Sequence, residues 1–138
     1  MITIPFPYGD PLAAFEVFAS DPHAVLLHGN GMGENGRYTY LAAAPFRVIH
    51  ATHKGVTIDG EAVAGDPFSV LERELQRYRE DKAKIRLPFS GGAIGFFGNE
   101  LGGVLERMPV PRRDGLELPL LSVGLYDTIV LFDHEQRE

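Results

Sequence analysis

The sequence predicts an α+β fold, a largely antiparallel sheet with two main helices, and three observations predict it. Two segments carry apolar residues at helical spacing, each behind the tripeptide Gly-Asp-Pro. Several short runs of β-branched and aromatic residues alternate with turn residues, and Asp59-Gly60 joins one pair. The runs between 46 and 63 are joined by tight turns alone, and no crossover helix follows Gly36, so an antiparallel meander is expected there. With 138 residues the chain suffices for one ordinary domain with one core, and 1–138 is read as a single domain.

The first helix begins at Gly9-Asp10-Pro11 and carries Leu12, Phe15 and Phe18 on one stripe. Asp10 is placed to cap the free N–H groups, and proline at the first helical position gives up no hydrogen bond. Asp21-Pro22 ends this helix near Ser20. Strands are expected at 23–28, 37–42 and 46–51. Lys54-Gly55 then turns into Val56-Thr57-Ile58, and Asp59-Gly60 turns again into Glu61-Ala62-Val63. Gly65-Asp66-Pro67 opens the second helix, to about residue 82, with Phe68, Leu71, Leu75 and Tyr78 on its stripe. Its six Lys or Arg between Arg73 and Arg86, interleaved with Glu72, Glu74, Glu80 and Asp81, read as a solvated face.

Gly91 to Gly98 reads as a strand short of side chains, against which another backbone or a ligand lies close. A short helix around 100–105 and a proline-rich loop over 108–119 follow. Residues 122–132, the most apolar run, read as one strand buried on both faces. The six polar residues Asp133 to Glu138 then look like the start of a hairpin whose return strand is absent. The expectation is therefore a half-covered strand in the front part of a longer protein.

Bulk properties exclude several functions. A net charge of −6 is the wrong sign for a nucleic-acid surface. With no cysteine there are no disulfides, thiolate metal sites or cysteine nucleophiles. No window has the uninterrupted apolar length of a membrane span and no basic leader is visible, so a cytoplasmic protein without membrane contact is expected.

Gly31-Met32-Gly33-Glu34-Asn35-Gly36 fits the letter of the dinucleotide fingerprint, but its third glycine must open a helix. Here Arg37-Tyr38-Thr39-Tyr40 follows, which favours strand, and Asp59 is better explained as a hairpin residue. His50 and His53, three apart on a strand, point to opposite faces and make a poor metal pair. Glu100 and Glu106 show no general acid–base spacing. No catalytic residue, metal ligand or cofactor is expected in this segment.

Several pieces in order nonetheless carry a resemblance: Ala24 to Gly29; Gly36-Arg37-Tyr38-Thr39-Tyr40 with Pro45; Leu87 to Gly98 with Glu100-Leu101-Gly102; and Gly124 to Asp127 through Asp133-His134. Together they resemble the N-terminal domain of component I of aminodeoxychorismate (para-aminobenzoate) synthase and anthranilate synthase. The resemblance implies an incomplete part of a larger two-layer chorismate-converting enzyme. Its chorismate-binding C-terminal domain and Mg2+ site would lie outside this segment, which alone would be inactive. A glutamine amidotransferase would be the parent's partner.

Leu26-Leu27-His28 leans to the aminodeoxychorismate branch, a transferase or lyase acting on chorismate in folate biosynthesis; anthranilate synthases usually read Leu-Leu-Glu-Ser. By resemblance, Leu27, His28, Gly29, Gly36, Arg37 and Tyr38 are candidates for an aromatic amino-acid effector site, with tryptophan as ligand. Arg37 would meet its carboxylate. Gly29, where the family has serine, and Asn99, where an aromatic is usual, depart from the pattern. The competing readings are a front domain of anthranilate synthase component I in tryptophan biosynthesis, a stand-alone aromatic amino-acid-binding module, and a scaffold that only covers a partner domain's sheet.

Overall fold

The computed structural model describes residues 2–30, 33–78, 87–106 and 118–138. In order along the chain these form α1 (Pro11–Glu16), β1 (Val25–Leu27), the single turn α2 (Gly33–Gly36), β2 (Tyr38–Ala42), β3 (Arg47–Thr52), β4 (Gly55–Ile58) and β5 (Glu61–Val63). There follow α3 (Pro67–Arg77), β6 (Gly92–Phe97), a 3-10 helix (Asn99–Val104), β7 (Leu121–Tyr126) and β8 (Val130–Asp133). The class is α+β, and every pairing with a defined register is antiparallel. The chain forms two compact units.

One unit comprises Met1–Phe46, Lys82–Gly92 and Tyr126–Glu138. Its sheet has the order β1-β2-β8. Leu41, Ala42 and Phe132 are buried, and so are the polar Thr39 and Asp133. Phe6 and Tyr8 meet the Phe132 ring edge-on, at centroid distances of 5.8 and 6.3 Å. Asp10 caps α1 through a 3.0 Å bond from the Leu12 N–H, as its sequence predicts, but the regular helix stops at Glu16 and continues to Ser20 as turns. The Tyr126 hydroxyl donates to the His23 carbonyl at 2.6 Å, and burial pushes that phenol's pKa up.

The other unit comprises Arg47–Asp81 and Ala93–Leu125. Its core joins Ile49 and Ala51 of β3, Val56 of β4 and Leu121, Val123 and Leu125 of β7 to Val70 and Leu71 of α3 and Leu101. The strand order is β5-β4-β3-β7-β6. Asp59 and Gly60 both have positive φ, 51° and 88°, as a two-residue hairpin turn demands. The Asp59 side chain adds to that role, since its Oδ1 accepts from the Val48 N–H at 2.8 Å. Asp66 caps α3, accepting from the N–H groups of Phe68 and Ser69. The bond from Ser69's hydroxyl lowers its pKa.

Three expectations are corrected. Residues 122–132 do not form one strand: β7 and β8 belong to different sheets, separated by the exposed pair Asp127 and Thr128. Nor is β7 half-covered, because β3 and β6 flank it. β8, by contrast, lies at the edge of its sheet with β2 alone beside it, so the expectation is overturned for β7 only. Glu74 is not solvated either; it is 1% exposed, with Arg77 Nη1 at 3.0 Å from Oε1 and Arg47 Nε at 3.6 Å from Oε2. Interleaved charge conceals it because the helix turns one of the acids inward. The expected end of the second helix near 82 and most of the loop 108–119 lie outside the described residues.

The side-chain-poor strand has a clear cause. A Cβ on Gly95 would collide with the Ser122 carbonyl oxygen and lie 2.6 Å from the Val123 Cα. Gly95→Ala is expected to cost about 1–3 kcal/mol through overpacking, read as a lower urea midpoint with the slope unchanged.

Candidate functional site

The six residues singled out from sequence occupy the ends of β1 and β2 and the turn between them. Gly29 is buried, and its Cα faces the carbonyls of Gly36 and Tyr38: an added Cβ would lie 2.5 Å from the first and collide with the second. Leu27 pairs with Tyr40 in the β1–β2 ladder and is 48% exposed. His28 is exposed, with Nδ1 3.3 Å from the Thr39 hydroxyl. The structure thus draws Gly29, Gly36 and Tyr38 together through backbone and joins His28 to them through Thr39. α2 is a single turn that Gly36 ends, and β2 follows. The third glycine of the Gly-x-Gly-x-x-Gly pattern opens no helix, so the geometry of a pyrophosphate site is absent.

Arg37, which the resemblance pointed at a ligand carboxylate, already holds carboxylates of this chain. Its Nε lies 3.0 Å from both Asp133 oxygens, its Nη2 2.6 Å from Oδ2 and its Nη1 3.2 Å from Glu135 Oε2. Its guanidinium also stands 4.9 Å above the Tyr38 ring. The hydrogen bond from Arg37 holds the Asp133 carboxyl below its usual pKa, and the same bond raises that of Arg37. Asp133 Oδ1 further accepts from the backbone N–H groups of Glu135 and Gln136.

Sequence reasoning passed over the residues that organise this region. The Thr39 hydroxyl accepts from the Gly29 N–H at 2.9 Å and lies 2.7 Å from His134 Nε2. His134 Nδ1 is 2.8 Å from the Tyr8 hydroxyl. A hydroxyl beside an imidazole invites comparison with a nucleophile and its base. Thr39 is wholly buried, however, and one of its lone pairs is already occupied, so no substrate can approach it. The signal that could have found this cluster was Thr39 itself, a polar residue on the inward face of a strand. Burial requires such a group to be bonded.

Among the described residues no three His, Asp or Glu side chains converge as a metal site requires, and no helix is long and apolar enough to cross a membrane. His53 Nε2 lies 3.0 Å from Glu100 Oε2 in an exposed pair.

No family model matches the chain. It is similar along its whole length to aminodeoxychorismate synthase component 1 of Klebsiella aerogenes, at 34% identity over 146 residues and 32% of that protein. The Escherichia coli protein of the same name is 32% identical across 83% of this chain and 27% of its own length. Anthranilate synthase alpha subunit 1 of Arabidopsis thaliana is 30% identical across 80% of this chain and 21% of its own. In structure, the whole chain superposes on 31% of anthranilate synthase component I from Streptococcus pneumoniae TIGR4, with a TM-score of 0.67 at 23% identity.

These likenesses and the two antiparallel sheets define a component I synthase fold, represented over part of its extent. The chain spans between about a fifth and a third of the length of the relatives it matches. It belongs to the aminodeoxychorismate synthase and anthranilate synthase component I family.

Two outcomes are expected here. Asp133→Ala should lower stability by about 1.5–3 kcal/mol in urea titration, since charge-assisted bonds are lost and the Arg37 charge is left in a half-buried place. Because the folded-state pKa of Asp133 is depressed, its contribution is fully present above the unfolded value of about 4. It is lost as pH falls through the still lower folded value, so wild type and variant should converge in stability there.

Proposed function

We propose that this chain is the N-terminal, non-catalytic domain of an aminodeoxychorismate synthase component I. The parent enzyme would convert chorismate and ammonia to 4-amino-4-deoxychorismate, in the cytoplasm. Ammonia would come from a glutamine amidotransferase subunit, and chorismate and Mg2+ would be held by the parent's own chorismate-binding domain. The observation that carries this reading is whole-length similarity to aminodeoxychorismate synthase component 1, at 34% identity, against 30% over 80% of the chain for a plant anthranilate synthase subunit.

We assign the strand end of Leu27, His28, Gly29, Gly36, Arg37 and Tyr38 as the place for an aromatic amino-acid effector such as tryptophan. The Tyr38 ring supplies an aromatic wall. Arg37 would have to share its charge between Asp133, Glu135 and the ligand carboxylate, which favours weak binding.

The gene for the parent enzyme should relieve a para-aminobenzoate auxotroph and leave a tryptophan auxotroph unrelieved. The reverse result would move the parent to the anthranilate branch. Purified chain supplied with chorismate, ammonia and magnesium should form no product, and turnover would overturn the non-catalytic assignment. Because the chain has no tryptophan, fluorescence of added tryptophan reports binding directly. Tyr38→Ala should weaken it by about 0.5–1.5 kcal/mol, and no signal at millimolar ligand would remove the effector assignment.

A further inference from the structure

The four groups Tyr8, His134, Thr39 and His28 form one unbroken chain of polar contacts, of 2.8, 2.7 and 3.3 Å in turn. They come from four separate parts of one unit: the N-terminal segment, the turn after β8, the middle of β2 and the end of β1. The two imidazole centroids stand 6.2 Å apart, nearly perpendicular at 83°. Thr39 is the node, and its capacity is limited. A hydroxyl offers one proton and two lone pairs, and the Gly29 N–H takes one lone pair. That leaves one proton and one lone pair. The Gly29 carbonyl, at 3.5 Å, is the most distant of the groups competing for them. Where both ring nitrogens bond to the hydroxyl, one ring donates while the other accepts.

With both rings neutral, two arrangements satisfy all three contacts. In the first, the Tyr8 hydroxyl donates to His134 Nδ1, His134 Nε2–H donates to Thr39, and the Thr39 hydroxyl donates to His28 Nδ1. In the second, each bond is reversed, so that His28 Nδ1–H donates to Thr39, Thr39 to His134 Nε2, and His134 Nδ1–H to the Tyr8 oxygen. A cationic His28 has a proton on Nδ1 and is compatible only with the second. Two cationic rings would present two N–H donors to one lone pair, so the cluster holds one added proton without breaking a bond. His28 is the exposed ring, where water solvates the charge; both nitrogens of His134 are engaged by protein.

We propose that this cluster is a one-proton relay. Protonation of His28 at the surface sets the tautomer of His134 and the direction of the Tyr8 hydroxyl bond, and so links proton uptake at the strand end to the tether of the N-terminal segment. The charged groups around it are fixed. Arg37 and Asp133 neutralise each other beside His134, Glu135 shares Arg37, and Arg137 stands 4.9 Å above the Tyr8 ring. His134 is further held by its backbone N–H, which donates to the Arg37 carbonyl at 2.9 Å. The relay does not rest on the effector reading.

Ring-nitrogen NMR of protein labelled with 15N-histidine tests it across the titration of His28. In the unaltered protein, His134 should pass from the Nε2–H to the Nδ1–H tautomer as His28 gains its proton. Thr39→Val removes the node and should abolish that inversion. Because Thr39 is buried, Tyr8→Phe provides a second variant. It keeps the ring packed on Phe132 but removes the acceptor for His134 Nδ1–H, and should hold His134 in the Nε2–H form. A His134 tautomer that stays constant in the unaltered protein, or inverts equally in Tyr8→Phe, would overturn the relay.

Discussion

A single carboxylate organises the region where β8 meets β2. Asp133 takes the Arg37 guanidinium on both oxygens and two backbone N–H groups of the turn that follows it. A half-buried arginine and a buried aspartate would each be costly alone, and together they satisfy most of each other's demand. The pair fixes the end of β8 against the start of β2 and sets the register in which Thr39 faces Phe132. That register carries Thr39 inward, within reach of His28, His134 and the Gly29 backbone. The polar centre of this unit therefore follows from one ion pair that closes a sheet.

Much of the fold was legible in the sequence. Both Gly-Asp-Pro starts cap helices, the Asp-Gly turn adopts the positive φ values its residues favour, and the strand of small residues lies against a neighbouring backbone. Each is a local rule, readable from adjacent residues. What escaped was decided at long range. Whether 122–132 is one strand or two depends on which sheets receive its halves, and an apolar run records burial without recording the partner. Glu74 is likewise hidden in a charged helix, because the charges of neighbouring residues do not record which side of α3 is covered.

The candidate site was half legible. Of the six residues read from family likeness, Gly29, Gly36 and Tyr38 meet through backbone, but the chemistry of the region is supplied by Thr39, Asp133, His134 and Tyr8. The first two declare themselves only when pairing places them inside; the last two lie far away in sequence. Arg37 shows the difference most plainly. Its residue type suits a ligand carboxylate, yet 96 positions separate it from the aspartate that occupies it.

The buried Glu74 has a consequence for how α3 is seated. Successive residues on a helix are about 100° apart, so turning α3 by a single position would swing this carboxylate away from Arg47 and bring the side chain of Arg73 or Leu75 to the same spot. A guanidinium there would face Arg47 with like charge, and a leucine would take the carboxylate away from Arg77 and leave Arg47 with Asp59. Close-packed apolar side chains already leave a helix little freedom to rotate. The ionic wedge removes that freedom, acting as an angular key that admits one orientation of the helix on its sheet.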